Sequence, residues 1–213
     1  METKNPSCVD CKVLACETKK GNYPAFCPTA HAGEQRAEDI AQRYGEDDLP
    51  LRVMHAAYDV LKDSRANRWC RVEEMMALFR HLGFTRIGIA SCTGLHEEAS
   101  LFADILRAHG FEPYGTCCKV GGVPRSRFGV FEDACDVDPV SCNPLMQAQL
   151  LEEAGTEVNV VVGLCVGHDM LFSMYSKAPV VTLIAKDRAL AHNPAGALYA
   201  AKGDSHYRRL LHP

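Results

Sequence analysis

The stretch EVNVVVGLCVGHD, residues 157–169, decides the fold of this chain. Its first half is almost entirely apolar and rich in valine, which is typical of a strand buried on both faces of a sheet. After Gly163 the composition changes, and the following HDMLFSMYSK has the pattern of a helix. The stretch therefore predicts a buried β-strand that ends at Cys165 and leads directly into a helix.

The same alternation of strand and helix extends on both sides of this stretch. Strands are predicted in TRIGIAS (85–91), FEPYGTCCKV (111–120) and APVVTLIAKD (178–187), with helices at 96–109 and 143–155 between them. Repeated βα units of this kind form parallel sheets with right-handed crossovers. The predicted fold class is α/β: a doubly wound, mostly parallel sheet of four or more strands.

The chain divides into two predicted parts at residue 33. Residues 1–33 contain Pro and Cys with little hydrophobic periodicity, which indicates a loop-rich metal knuckle without a core of its own. Residues 34–213 are predicted to form the α/β domain, with helices within 34–82 and Rossmann-like βα units within 84–213. Helices are expected at 33–45, 49–67 and 72–82, and a short one at 193–201.

Composition narrows the class of protein. A chain of 213 residues, 47% hydrophobic, is long enough to bury a proper core. A net charge of −4 argues against nucleic acid or an anionic membrane as a partner. No apolar run reaches the roughly 18 residues of a membrane span, and the first residues lack the pattern of a secretory signal. We therefore expect a cytoplasmic protein whose eleven cysteines are reduced and serve metal or redox chemistry.

Four of these cysteines lie close together near the N-terminus, with the spacing C-x2-C-x4-C-x10-C. They are Cys8, Cys11, Cys16 and Cys27. Two ligands from one tight turn can reach the same ion, and two more complete a tetrahedral shell. The spacing predicts a metal site. The Cys27-Pro28 pair resembles the end of a ferredoxin motif and favours an iron–sulfur cluster, with zinc as the alternative.

The remaining informative cysteines fall where predicted strands end. Cys92, Cys118 and Cys165 follow three successive strands, and Cys142 precedes a helix. Ligands of open α/β sheets bind outside the carboxyl ends of the strands. We expect these four thiols to form a second, cofactor-binding site. Cys117 and Cys118 are adjacent and would point to opposite faces of an extended strand, so at most one of them is expected to reach the site. Of the two, Cys118 is preferred, with Cys117 as the alternative.

Polar side chains that follow the same strands are candidate catalytic groups. These are His168, Asp169, Lys186, Asp187 and His192. The histidines could equally be ligands, acid–base groups or surface residues. Asp169 could serve only as a helix cap, and Asp187 only as a surface ion-pair partner.

Taken together, the motifs CVDCKVLAC, SCTGL, CCKVGG, CNP, GLCVGHD, AKDR and AHNPAGALY resemble an uncharacterised prokaryotic family. That family is labelled only as a metal-binding protein or a domain of unknown function, and the resemblance covers nearly the whole chain. It implies metal binding and supplies neither a substrate nor a mechanism.

Three functions fit these observations. The first is an iron–sulfur enzyme with one or two clusters, a lyase, desulfurase or oxidoreductase acting on a small molecule. The second is a non-catalytic redox, electron-transfer or metal-sensing protein with a redox partner protein. The third is a zinc knuckle joined to a ligand-binding domain. No dinucleotide fingerprint, P-loop or esterase elbow occurs in the sequence.

Overall fold

A computed structural model describes residues 7–18, 21–46, 48–63, 68–130, 138–203 and 206–211. These residues group into two compact units, divided between Asp59 and Val60. The first unit holds α1 (Ala15–Thr18), α2 (Pro28–Glu46) and most of α3 (Asp48–Asp63). Residues 64–67, the last residues of the helix predicted at 49–67, lie outside the described residues.

The second unit contains a parallel sheet surrounded by helices, so the predicted α/β fold is confirmed. Its strands are β1 (Arg86–Ser91), β2 (Glu112–Cys117), β3 (Val158–Val162) and β4 (Val180–Ile184). Its helices are α4 (Arg71–Leu82), α5 (His96–Ala108), α6 (Pro144–Glu153), α7 (His168–Tyr175) and α8 (Ala195–Ala201), with 3-10 turns at 93–95, 125–128 and 206–210. No helix in the described ranges is both long and apolar enough to span a membrane.

The strand order is β2-β1-β3-β4, and every neighbouring pair is parallel. The chain moves outward from β1 to β2, then crosses back to β3 and continues to β4. The sheet is therefore doubly wound, and its direction of winding reverses between β1 and β3. In such sheets a crevice opens at the carboxyl ends of the two strands on either side of the reversal.

The core lies around the two central strands. All five residues of β3 are buried, as are residues 87–91 of β1. Phe79 of α4 is fully buried and packs edge-on against Phe111, with ring centroids 6.2 Å apart. A fully buried aromatic or branched side chain of this kind contributes about 1.5–3 kcal/mol. This burial fixes the strand ends from which the site is built.

Gly163 turns the chain sharply as it leaves β3. Its φ of +64° lies in the left-handed region that L-residues with a side chain seldom occupy. A Cβ atom at this position would lie 2.6 Å from Leu95 Cδ2. The glycine thus lets the chain pass close to Leu95 and directs the following residues, including Cys165, over the carboxyl edge of the sheet.

Candidate functional site

Cys92 lies at the carboxyl end of β1, where the winding of the sheet reverses. The residue is 7% exposed, and its N–H still donates to Val162 O of the neighbouring strand at 3.1 Å. Its Sγ accepts hydrogen bonds from Lys186 Nζ at 2.6 Å and from the Gly94 N–H at 3.5 Å. Lys186 follows β4, so its side chain passes over the end of β3 to reach this thiol.

Cys118 occupies the equivalent position after β2. Ser91 pairs with Cys117 in the sheet, so Cys92 and Cys118 are the next residues along two adjacent parallel strands. The Cys118 side chain is 2% exposed, and its Sγ lies 4.0 Å from Cys92 Sγ and 3.9 Å from Thr93 Oγ1. Cys118, the preferred member of the Cys117–Cys118 pair, is the one placed beside Cys92.

Cys117 points to the other face of the sheet. There it lines a separate cavity of about 280 Å³ between α5 and the ends of β1 and β2, together with Ser91, His96 and Ser100. The alternation of side chains along a strand accounts for this separation of two adjacent cysteines.

Cys142 and Cys165 complete a cluster at this edge. Cys142 lies just before α6, and its thiol is close enough to Cys118 to influence the ionisation of that group. Cys165 Sγ lies 3.7 Å from Lys186 Nζ and 3.6 Å from Arg188 Nη2. We refer to Cys92, Cys118, Cys142, Cys165 and Lys186 as the thiol cluster. The structure brings together all four strand-end cysteines that the sequence singled out.

Ionisation differs sharply between the two central thiols. Burial disfavours the Cys92 thiolate, but the hydrogen bond and charge of Lys186, with the Gly94 N–H and the Cys118 thiol, outweigh it and lower the pKa of Cys92 to about 7. Burial raises the pKa of Cys118 to about 11, and the neighbouring Cys142 and Cys92 add to this rise. Near neutral pH the pair therefore consists of a partly ionised Cys92 and a protonated Cys118.

Gln147 joins the ends of β1 and β2 directly beneath these cysteines. The residue is fully buried in α6, and its Nε2 donates to Ser91 O at 3.2 Å and to Thr116 O at 2.8 Å. It therefore holds the two strands one residue before Cys92 and two residues before Cys118. Sequence analysis missed this role, although a glutamine in the apolar, strand-facing stripe of a helix is a signal that could have revealed it.

The five predicted catalytic side chains do not all lie in the thiol cluster. Only Lys186 enters the thiol cluster. Asp169 Oδ1 accepts N–H groups of its own turn, from Gly167 at 3.1 Å and Met170 at 2.8 Å. His168 is half-buried at the first position of α7.

Asp187 and His192 belong to one closed loop. Asp187 Oδ1 accepts the N–H groups of Ala189 and Leu190, each at 3.0 Å. The Asp187 N–H donates to His192 Nδ1 at 3.1 Å, so the neutral ring carries its proton on Nε2. These contacts give both residues a local structural role, and their catalytic roles stay predictions.

The N-terminal cysteines lie in a segment that closes on itself. The Ser7 N–H donates to Phe26 O at 3.1 Å, which joins the residues preceding Cys8 and Cys27. The Cys11 N–H donates to Cys8 O at 3.1 Å, and Cys11 Sγ accepts the Leu14 N–H at 3.5 Å. Cys16 is exposed within α1.

Cys27 directly precedes α2, and Pro28 is the first residue of that helix. The Ala30 N–H lowers the pKa of the Cys27 thiol, against an opposing effect of burial and with help from Thr29. Proline is favoured at a first helical position because it needs no hydrogen-bond acceptor there. The Cys-Pro pair thus has a structural reason of its own, besides the ferredoxin-like interpretation.

The described residues offer no preformed metal site in either set of cysteines. Among the described residues, no group of three or more His, Cys, Asp or Glu side chains is arranged to hold a metal ion. The Cys92–Cys118 pair nevertheless has suitable spacing for two ligands: metal–sulfur bonds of about 2.3 Å at tetrahedral angles put two sulfurs about 3.8 Å apart. The observed separation is 4.0 Å. Binding would therefore require further thiols to move towards this pair.

Comparison with known proteins assigns a family. Residues 27–183 match the family described as protein of unknown function DUF1847. The chain belongs to this family. It is also 47% identical over 174 residues to the uncharacterized protein MJ0455 of Methanocaldococcus jannaschii, covering 79% of this chain and 88% of that protein. The DUF1847 match includes all four cysteines of the thiol cluster, whereas Cys8, Cys11 and Cys16 precede it.

Proposed function

We propose that this DUF1847 protein is a thiolate-dependent metal-binding protein that acts on a small anionic molecule at the carboxyl edge of its sheet. One observation carries the proposal. Four cysteines from four separate segments converge with Lys186 where the winding of the sheet reverses. Buried cysteines that serve only the core have no need of a lysine ammonium among them.

The donor set favours a thiophilic metal. Thiolates bind zinc and the irons of iron–sulfur clusters, and Cys92 is already partly ionised near neutral pH. We propose an iron–sulfur cluster as the cofactor, with zinc as the alternative, held by Cys92, Cys118, Cys142 and Cys165. A cluster bound by three of these thiols would supply a Lewis-acidic iron to a substrate. A second centre at Cys8, Cys11, Cys16 and Cys27 belongs to the same proposal.

The charges at the site favour an anion as the substrate. Lys186 and Arg188 bring two positively charged side chains to the thiol cluster, where they donate to Cys92 Sγ and Cys165 Sγ. The nearby carboxylates of Asp169 and Asp187 are engaged with backbone N–H groups of their own loops. The Lys186 ammonium and the Arg188 guanidinium would donate charge-assisted hydrogen bonds to a small carboxylate or sulfur oxyanion, and Lys186 would orient it beside Cys92.

The experiment measures iron, zinc and acid-labile sulfide per chain after anaerobic purification, together with the visible spectrum. We expect Cys92→Ser and Cys165→Ser to remove one metal centre, and the double variant Cys8→Ser/Cys11→Ser to remove another. Cys70→Ser is the matched control, because Cys70 is an exposed cysteine outside the thiol cluster. Unchanged metal content and spectrum in both strand-end variants would refute a metal centre in the thiol cluster.

Anion binding is tested separately with acetate and sulfate as probes. Each should slow alkylation of Cys92 by iodoacetamide in the unmodified protein, and Arg188→Gln should weaken that protection. Lys177→Met removes an exposed charge away from the thiol cluster and serves as the control. If neither probe affects Cys92, the anionic substrate class is wrong.

A further inference from the structure

We infer that Cys92 and Cys118 form a reversible dithiol–disulfide pair, through which the protein exchanges two electrons with disulfide compounds. This activity goes beyond the proposed function, because it requires no metal. The first observation is positional. The two residues follow register partners on adjacent parallel strands, and both side chains point to the same face of the sheet.

The strand pairing that ends at Ser91 and Cys117 favours the spacing that a disulfide requires. Adjacent strands lie about 4.8 Å apart, and disulfide-bonded residues have Cα–Cα distances of about 4.4–6.8 Å. The sulfurs are 4.0 Å apart, and a disulfide needs about 2.05 Å. Side-chain rotation of both residues can supply the difference, so the two strands need not separate or approach.

The surroundings of the pair fix this spacing and distinguish its two members. Gln147 holds the strands together at Ser91 O and Thr116 O, which lie one residue before Cys92 and two residues before Cys118. Cys92 is the more exposed cysteine, at 7% against 2% for Cys118, and the Lys186 ammonium lies 2.6 Å from its sulfur. Cys92 is therefore the attacking thiol, and Cys118 is the thiol that resolves the intermediate.

The exchange balances with a disulfide, R–S–S–R, as the co-reactant. The Cys92 thiolate attacks one sulfur, forming a Cys92–S–S–R mixed disulfide and releasing one thiolate, R–S⁻. Cys118 then loses its proton and attacks Cys92 Sγ, which forms the Cys92–Cys118 disulfide and releases the second R–S⁻. The pair has lost two electrons and the disulfide has gained them, and each released thiolate takes up a proton according to its pKa.

The disulfide and the metal-bound form exclude each other, since a sulfur in a disulfide is no longer a thiolate ligand. The two proposals can nevertheless fail independently. Elemental analysis of protein that is purified anaerobically and kept reduced decides metal binding, because no disulfide then competes for the thiols. Disulfide formation is measured on the purified protein and on a chelator-treated sample, so bound metal cannot conceal it.

The test equilibrates the full chain anaerobically with mixtures of reduced and oxidised glutathione, followed by acid quenching, alkylation and peptide mapping by mass spectrometry. We expect the Cys92–Cys118 disulfide to increase at least tenfold from the most reducing to the most oxidising mixture, and to disappear again on return to reduced glutathione. Cys118→Ser should instead accumulate the mixed disulfide of Cys92 with glutathione.

Cys117→Ser is the matched control, because Cys117 is adjacent in sequence but faces the other side of the sheet. It should form the Cys92–Cys118 disulfide as the unmodified chain does. Cys118→Ala provides a second resolving-thiol variant if the serine variant folds poorly. The inference is wrong if Cys92 and Cys118 are both recovered as alkylated free thiols after every glutathione mixture, in the purified and in the chelator-treated sample. It is also wrong if Cys92 forms a disulfide with Cys142 or Cys165 instead.

Discussion

Replacing Lys186 by methionine tests the electrostatics of the thiol cluster most directly. Methionine keeps an unbranched side chain, one heavy atom shorter, and removes the ammonium that lies 2.6 Å from Cys92 Sγ. Burial opposes ionisation of Cys92, and Lys186 is the largest of the influences that overcome it, bringing the pKa down from 9.0 to about 7. Without the lysine, the pKa of Cys92 should return towards 9.0.

The magnitude follows from the two pKa values. At pH 7 the thiolate fraction of Cys92 should fall from about one half to about one hundredth, roughly a 50-fold loss. A thiolate of higher pKa is intrinsically more nucleophilic, by roughly 8-fold for two pKa units. The rate of alkylation at pH 7 should therefore decrease only about 6-fold. The midpoint of the pH–rate profile is the more sensitive measure.

The assay follows iodoacetamide alkylation of Cys92 by mass spectrometry between pH 5 and 10, on reduced, metal-free protein. The profile of the unmodified chain should have its midpoint near pH 7, and that of Lys186→Met near pH 9. The pKa of Cys92 is lower in the folded protein than in the unfolded chain, so ionisation of Cys92 stabilises the fold. This stabilisation is complete at pH values above the pKa of the unfolded chain, and it is lost as the pH falls through about 7. A folded Lys186→Met protein with an unshifted midpoint would refute this reasoning, and Lys177→Met controls for the loss of one positive charge.

Three further substitutions test residues that hold the strands and strand ends around the site in place. Gly163→Ala should lower stability by about 1–3 kcal/mol in urea unfolding, because its Cβ would lie 2.6 Å from Leu95 Cδ2 at a φ of +64°. Glu157→Gln should cost about 1.5–3 kcal/mol near neutral pH, because Glu157 Oε2 accepts the Thr85 N–H at 2.7 Å. Burial opposes ionisation of Glu157, but hydrogen bonds from backbone N–H groups outweigh it and lower the pKa of this carboxyl in the fold. The stabilisation by ionised Glu157 is therefore lost as the pH falls through that lowered pKa, and the difference between Glu157 and the Gln variant should vanish in acid. Gln147→Leu should lower the melting temperature and reduce Cys92–Cys118 disulfide formation in the glutathione assay, whereas Gln149→Leu, an exposed change in the same helix, should do neither.

The sequence alone determined the architecture, because that information is local and periodic. The apolar stretch 158–162 predicts a strand buried on both faces, and the helical patterns between the predicted strands favour parallel connections. Parallel strands all deliver their carboxyl ends to one edge of the sheet, so the meeting of Cys92, Cys118 and Cys165 could be expected before any coordinates. The two-residue period of a strand predicted that Cys117 and Cys118 face opposite sides of the sheet, and the tertiary structure showed that Cys118 is the one beside Cys92.

Only the tertiary structure decided the chemistry of that edge. Lys186 is 94 residues from Cys92 in the chain, and no sequence pattern indicates that its ammonium bonds to that thiol rather than to solvent. The same holds for Gln147, whose amide donates to carbonyls of two strands. It also holds for the loop after β4, in which the Asp187 N–H donates to the His192 ring. A thiol's pKa depends on burial and on charges within a few ångströms, which strand order and side-chain rotation set. Sequence periodicity indicates which segments form strands and that their carboxyl ends share one edge, but it does not indicate which side chains meet there.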